Sequence, residues 1–329
     1  MGALMDEDKR VNPPWRDHAD ALYGHFAAMT QHRCLLWVDS SQADPFEGHD
    51  LVEQSRVRVP IRHPRFEPSL APYVVPLDLS RSADSDLFSS SVELAWKSWS
   101  TEYLNAMLGQ PICGWVRSES NAGAVARHWG TRCHLHMVRR QARLCRFQDP
   151  GVREWLWPTL SEIQQRAMLG PASEIMAIGR AQQLVHHTSH FASGLACSSE
   201  IRQLDSFPSL QLEQATWDRL DDYASVHAAW LTWRNSGDRD AVEAQSPGWE
   251  RSILHALAQA GKLGVRDALD RELFALHALQ SGPGFYRHSK LDDIWTKTRA
   301  GEFYGSAVEE VTGRPADRLG EWIHTLINS

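Results

Sequence analysis

MVRRQARLCRFQDPGVREWLWPTLSEIQQRAML, residues 137–169, is the stretch that decides the local fold of this chain. It begins with a short alternating run, typical of a strand, that ends at Asp149-Pro150. Gly151 then opens an amphipathic helix that Pro158 ends, and a second helix follows. Asp149 is placed to accept from the first free N–H groups of that helix, with Pro150 near the first helical position. We therefore predict that Asp149 and Pro150 form a structural strand-to-helix junction.

Apolar runs alternate with helical patterns in the first part of the chain. An amphipathic helix over residues 15–32 precedes CLLWVD at 34–39, which is typical of a strand buried on both faces. A helical pattern over 86–108 precedes a second apolar run, ICGWV at 112–116. Two more pairs of runs indicate hairpins, at 133–138 with 142–147 and at 174–179 with 183–187. This order predicts an α/β N-terminal lobe with a small mixed sheet flanked by helices.

The pattern changes after residue 187. Residues 188–209 are rich in serine and lack sustained periodicity, which is typical of a domain boundary. From Leu210 onward the apolar spacing is helical and no convincing strand occurs, so we expect an all-α C-terminal lobe. The predicted division is an α/β lobe over 1–190, a linker over 191–209 and a helical lobe over 210–329.

Composition and charge narrow the class of protein. The net charge is −7, and the segment from Glu200 to the end holds 14 basic and 20 acidic side chains. This bias argues against a nucleic-acid binder held by a general basic field. The 5 Cys form no CxxC pair and the N-terminus has no apolar signal core, so we expect a cytoplasmic protein. The 14 Trp are expected to be mostly core.

One region departs from that charge balance, because no acid lies between Glu119 and Asp149. The basic residues of this span are Arg127, Arg132, Arg139, Arg140, Arg143 and Arg146, with His128, His134 and His136. We favour a hairpin whose outward face is rich in arginine and paired with acids from elsewhere. A nucleic-acid-binding face from Arg127 to Arg146 stays an alternative, and it would require strongly salt-dependent binding.

No catalytic or cofactor motif is present. There is no phosphate loop, no dinucleotide fingerprint and no GxSxG turn. The most metal-like cluster is His186, His187 and His190, but it lacks the HExxH spacing and contains no Glu. We therefore expect no metal, no cofactor and no enzyme activity. A hydrolase with a dispersed site around His186, His187 and Asp149 stays the enzymatic alternative.

Several short motifs together resemble a bacterial family. They are Leu35–Asp39, PSLAPYVVPLD at 68–78, PICGWVRS at 111–118, His128-Trp129, RLCRFQDP at 143–150, Trp157-Pro158 and Leu169-Gly-Pro171. In this order they resemble the effector adaptors, or chaperones, of type VI secretion, catalogued as domain of unknown function 4123. The run Arg146-Phe-Gln-Asp-Pro150 is similar to that family's Arg-Phe-(Tyr/Gln)-Asp-Pro signature. Two departures are Gly151, where arginine is common, and Cys145, where leucine is usual.

The resemblance implies a non-enzymatic adaptor. Such a protein holds a toxin effector in the bacterial cytoplasm and loads it onto the VgrG-type spike of the secretion machine, with neither nucleic acid nor membrane as a partner. We expect the α/β lobe to be the shared scaffold and the helical lobe to contribute to effector recognition. Aromatic side chains are the usual anchors of such contacts. The predicted partner-binding residues are Trp230, Trp233, Trp249, Phe285, Tyr286 and Trp295.

Overall fold

The structure is a computed structural model that describes residues 13–28, 33–62, 66–132, 134–136, 142–189, 212–235, 249–320 and 322–323. The chain divides into two compact units, Met1–Leu212 and Glu213–Ser329. The predicted linker, residues 191–209, lies outside the described residues.

A six-stranded sheet forms the centre of the first unit. Its strands are β1 (Arg33–Val38), β2 (Val57–Arg58), β3 (Tyr73–Leu77), β4 (Ile112–Ser118), β7 (Ala172–Ile178) and β8 (Leu184–Thr188), in the order β2-β3-β1-β4-β7-β8. The prediction of a mixed sheet was wrong in this respect, because every described pair is antiparallel. β3 and β4 do run in the same direction, but β1 lies between them and is antiparallel to both.

Helices cover both faces of this sheet. α1 (Trp15–Ala27) and α3 (Ser82–Lys97) pack on one face, where Trp115 Nε1 donates to Ser91 Oγ at 2.9 Å. The other face holds α5, α6 and α7, and there Trp37 of β1 stacks on Trp129 with ring centroids 3.8 Å apart. Their bounds are Ala122–Arg132, Pro150–Leu156 and Glu162–Leu169. The predicted α/β class with flanking helices is confirmed.

β4 needs a glycine where β7 crosses close to it. Gly114 has φ +142, and a Cβ built at this position would lie 2.3 Å from the carbonyl oxygen of Met176. No side chain fits in that space. Gly114 therefore lets the two central strands approach while Trp37 stacks on Trp129 on the same face.

Two local elements differ from the sequence predictions. The single helix predicted over 86–108 is two helices, α3 and α4 (Thr101–Asn105). Ser100 separates them because its side chain accepts from the Tyr103 N–H and caps α4. The hairpin predicted over 133–147 is present as β5 (His134–His136) and β6 (Ala142–Leu144), but it forms a sheet of its own. The short α2 (Asp50–Ser55) follows β1.

Helices make up the second unit. They are α8 (Gln214–Asn235), α9 (Trp249–Ala260), α10 (Ala268–Ser281), α11 (Asp292–Arg299) and α12 (Tyr304–Thr312). Phe274 is fully buried and has ring contacts with Phe285, Trp295 and Tyr304. Asp270 caps α12, accepting from the Tyr304 N–H at 2.8 Å and the Gly305 N–H at 3.1 Å. The described part of this unit contains no strand, as the helical spacing predicts.

Candidate functional site

The strand-to-helix junction has a local structural cause. Asp149 is the N-cap of α6, and its Oδ1 accepts from the backbone N–H groups of Gly151 at 2.9 Å and Val152 at 3.2 Å. Pro150 is the first helical residue, a position whose N–H has no acceptor within the helix, so the missing N–H of proline costs no hydrogen bond. The Asp149 side chain is thus used by the backbone of the helix that it starts.

A buried arginine lies next to this junction. The Arg153 guanidinium is fully buried and donates to the carbonyl oxygens of Phe147 at 3.1 Å, Gln148 at 3.2 Å and Cys113. It also lies over the ring of Trp37, 5.4 Å from its centroid. Burial lowers the pKa of Arg153 to about 10. Arg153 therefore ties β4 to the turn before α6 through backbone acceptors, a role in structure rather than in chemistry.

The arginines of the predicted basic face do not share one environment. Arg146 donates to Asp39 at 3.0 Å, so an acid from the end of β1 pairs with it as the hairpin interpretation expects. Arg132 is buried, whereas Arg127 is exposed. Arg139 and Arg140 lie outside the described residues, as does the side chain of Arg143. Among the described residues, no continuous strip from Arg127 to Arg146 is seen.

His186 and His187 of the predicted metal cluster point to opposite faces of the sheet. His186 Nδ1 lies 2.6 Å from Glu174 Oε1, and His25 Nε2 lies 2.9 Å from Glu174 Oε2. His187 is buried on the other face, edge-on to Trp157, and burial lowers its pKa well below the ordinary value. His190 lies outside the described residues.

This arrangement bears on both the metal and the hydrolase interpretations. No group of three His, Cys, Asp or Glu side chains arranged to hold a metal ion occurs within the described ranges. The three residues of the hydrolase alternative also have separate surroundings. His186 pairs with Glu174, His187 lies against Trp157, and Asp149 accepts from backbone N–H groups. Nothing in their contacts favours a shared catalytic site.

The predicted aromatic anchors are mostly core side chains. Trp230, Trp233, Phe285 and Trp295 are each 5% exposed or less. Tyr286 is partly exposed, and its carbonyl oxygen accepts from Trp295 Nε1 at 3.0 Å. The side chain of Trp249 is not among those described. Their contacts explain the stability of the helical unit, and a role in partner binding stays a prediction.

Exposed apolar side chains occur at positions that the sequence reasoning missed. Met107 is 80% exposed at φ +53, and Leu108 beside it is 44% exposed. With the Gln42 amide oriented to donate, its nitrogen lies 2.7 Å from the Met107 carbonyl oxygen and holds this loop. In the helical unit, Leu269 and Phe303 are 76% and 64% exposed. Periodicity did not predict their exposure, because three of these four lie at or outside helix ends.

An open cavity of about 590 Å³ lies at the end of the sheet in the first unit, on the α1 and α3 side. Phe26, Leu51, Pro76 and Leu77 supply apolar walls, and the loop from Asp78 to Arg81 supplies polar groups. Asp84 of α3 also lines this cavity although it is only 3% exposed. Its Oδ2 accepts from the Asp78 N–H at 2.8 Å, while Oδ1 has no hydrogen-bond partner.

The charged groups around the cavity are unevenly paired. Asp78 is exposed, and bonds from Ser80 together with the charge of Arg81 lower its pKa. Arg33 is exposed at the start of β1. Asp84 is the buried charge of the lining, and one of its oxygens is unused. Apolar walls with a few polar groups are the usual composition of a cavity that binds a small ligand or a side chain.

Comparison with known proteins gives one match. Residues 67–167 match the model of the family described as domain of unknown function (DUF4123). No curated protein and no solved structure matches the chain. The matched span contains β3, β4 and the helices from α3 to α7, and it includes the Asp149 junction and Asp84. Within the described part of the chain, no helix combines the length and apolar character that a membrane crossing needs.

Proposed function

We propose that this chain is a non-enzymatic adaptor of type VI secretion, which binds a toxin effector in the bacterial cytoplasm and loads it onto a VgrG-type spike protein. The observation that supports this most is the family match over residues 67–167, the span that also holds most of the motifs resembling effector adaptors. The proposal needs no cofactor and no metal.

The positions of those motif residues favour a binding role over catalysis. Trp129 stacks on Trp37, Arg146 pairs with Asp39, and Asp149 caps α6. Each of these contacts stabilises the scaffold and leaves no side chain poised as a nucleophile or a base. The motif residues therefore act by maintaining the fold of the first unit.

The two units suit two partners. The matched span lies in the first unit, so we assign to that unit the partner that is common to such adaptors, the spike protein. The helical unit lies outside the match, and we assign to it the effector. Its net charge from Glu213 onward is acidic, with 13 basic and 18 acidic residues, which favours a basic effector surface.

Purification from the native bacterium tests the function. Affinity-tagged full-length chain, expressed at its natural level, is expected to retain a spike protein and a toxin, both identified by mass spectrometry. Deleting the gene is expected to abolish release of that toxin while the release of unrelated effectors continues. Recovery of neither partner, or unchanged toxin release by the deletion strain, would contradict the adaptor function.

A further inference from the structure

We propose that the cavity beside Asp84 binds a cationic group on an aliphatic stem, an alkylammonium or a guanidinium. The cation would pair with the unused oxygen of the Asp84 carboxylate, and the stem would lie along Phe26, Leu51 and Leu77. In the cell, the group would be a lysine or arginine side chain of the spike protein. That last assignment rests on the proposed function.

The geometry of Asp84 carries the first step. A carboxylate accepts through two oxygens, and Asp84 uses only Oδ2, which takes the Asp78 N–H. A buried acceptor without a partner is unfavourable, so native proteins nearly always satisfy such a group. Oδ1 is itself shielded from solvent, so the Asp84 carboxylate has to turn towards the open cavity that the residue lines before the N–H donors of a ligand can supply the missing partner.

Charge decides the class of ligand. Asp78 already has Ser80 and Arg81 beside it, whereas Asp84 has no ion pair among the described residues. An anion would meet Arg33 and Arg81 at the rim but would bring a second negative charge towards Asp84. A cation is repelled less, because Arg33 and Arg81 are exposed and screened by solvent whereas Asp84 is buried. It also forms a charge-assisted hydrogen bond with the Asp84 carboxylate.

The apolar walls decide the shape of the ligand. The aliphatic stem of a lysine or arginine buries well against apolar surface while its charged end reaches a polar partner. Phe26 and Leu77 are less than a tenth exposed, so packing holds these two side chains of the wall in place. A spherical inorganic cation has no apolar part, so the apolar walls would remain in contact with water.

Binding of a small probe to the full-length chain tests the site. The probe is n-butylguanidinium, and 1-pentanol serves as a neutral control of similar length. Asp84→Asn keeps an acceptor for the Asp78 N–H but removes the acidic group. Asp86→Asn is the matched control, at an exposed acid of the same helix that lies outside the cavity lining. We expect titration calorimetry to show at least about tenfold weaker binding to Asp84→Asn, and unchanged binding to Asp86→Asn.

A second variant tests the cavity without changing Asp84, so the test stays valid if Asp84→Asn misfolds. Ala27 is exposed at the mouth of the cavity, so Ala27→Trp is expected to fill the mouth and abolish binding without touching Asp84. Failure of the wild-type chain to bind the probe would overturn the proposal. Equal binding of n-butylguanidinium and 1-pentanol, or unchanged affinity in both variants, would overturn it as well.

The source of the cation is tested by co-purification. If a spike side chain occupies the cavity, Asp84→Asn loses spike protein and keeps the toxin, while Asp86→Asn keeps both. If Asp84→Asn retains spike as the wild type does, a free amine is the ligand and the assignment to the spike is overturned. If the wild type recovers neither partner, the adaptor function is contradicted. The titration with the probe then tests only whether the cavity binds a cation.

Discussion

Asp149 shows how a single side chain starts an element. Its Oδ1 accepts two N–H groups that the first turn of α6 would otherwise leave unpaired. We expect Asp149→Ala to lower the free energy of unfolding by about 0.5–2 kcal/mol, and Asp149→Ser to lower it much less. Urea unfolding followed by circular dichroism measures both. An unchanged stability combined with lost partner binding would instead indicate a direct contact with a partner.

His277 makes the helical unit sensitive to acid. Its Nε2 donates to the Ala316 carbonyl oxygen at 2.8 Å, so Nδ1 accepts from the Tyr304 hydroxyl at 2.7 Å and the buried ring is neutral. Burial lowers the pKa of His277 to about 4, below the ordinary value of 6.5. The unfolded chain therefore binds the extra proton between these values. Stability is fully present above pH 6.5 and is lost as the pH falls towards 4, by about 3 kcal/mol.

Hydrogen exchange localised to α10 is the suitable measurement. Buried His187 in the first unit also has a lowered pKa, so a global melting curve would combine the two effects. We expect the protection of α10 amides to fall between pH 6.5 and pH 4 in the wild type. His277→Gln can keep both hydrogen bonds without titrating, and its α10 protection should vary less with pH. Equal pH dependence in both proteins would show that another group is responsible.

At the scale of elements, Arg153 joins β4 to the turn before α6. Replacing it with methionine keeps much of the volume but leaves the carbonyl oxygens of Cys113, Phe147 and Gln148 without this donor. We expect Arg153→Met to lower the free energy of unfolding by about 1–3 kcal/mol, since buried carbonyl oxygens that lose their donor carry a desolvation penalty. Arg127→Met, at an exposed helical position, is the matched control and should change stability little. Similar effects of the two changes would refute the role of Arg153.

Local signals predict the elements well, and pairing between strands less well. The apolar runs at 34–39 and 112–116 are β1 and β4, because burial on both faces leaves a continuous apolar run. The break between α3 and α4 was missed because a serine cap inside a helical pattern is a weak signal. The antiparallel sheet was missed because the insertion of β1 between β3 and β4 is a long-range event.

The candidate site was beyond reach of sequence patterns for the same reason. Phe26, Leu51 and Asp84 lie far apart in the chain and come together only when α1, α2 and α3 gather at one end of the sheet. By contrast, Asp149-Pro150 could be read directly, because a cap and its helix are neighbours in sequence. The residues that line a cavity formed by several elements have no characteristic spacing in the sequence.

At the scale of the molecule, tryptophan serves mainly as a core residue. The Trp side chains less than a tenth exposed are Trp37, Trp99, Trp115, Trp129, Trp155, Trp157, Trp217, Trp230, Trp233 and Trp295. They occur in both units, so each unit has large aromatic side chains at its own centre. Core packing therefore accounts for most of the high tryptophan content. We predict that exposed apolar side chains such as Met107, Leu108, Leu269 and Phe303 contribute to contacts with partners.

Separate cores predict separate folding of the two units. The first unit encloses the Trp37–Trp129 stack, and the second encloses Phe274 with Trp295 and Tyr304. We expect residues 1–212 and residues 213–329, each expressed alone, to unfold cooperatively in urea, because each fragment keeps its own packed interior. A fragment that unfolds without a cooperative transition would show that its core depends on the other unit.

The same fragments divide the proposed function. If the matched scaffold meets the spike and the helical unit meets the effector, residues 1–212 retain spike protein without toxin, and residues 213–329 retain toxin without spike. Leu269→Ser together with Phe303→Ser removes exposed apolar surface from the helical unit without opening its core, and should weaken toxin capture by the full chain. Met107→Ser is the matched control on the first unit and should leave toxin capture intact. Capture of both partners by one fragment would contradict this division and place both contacts on a single unit.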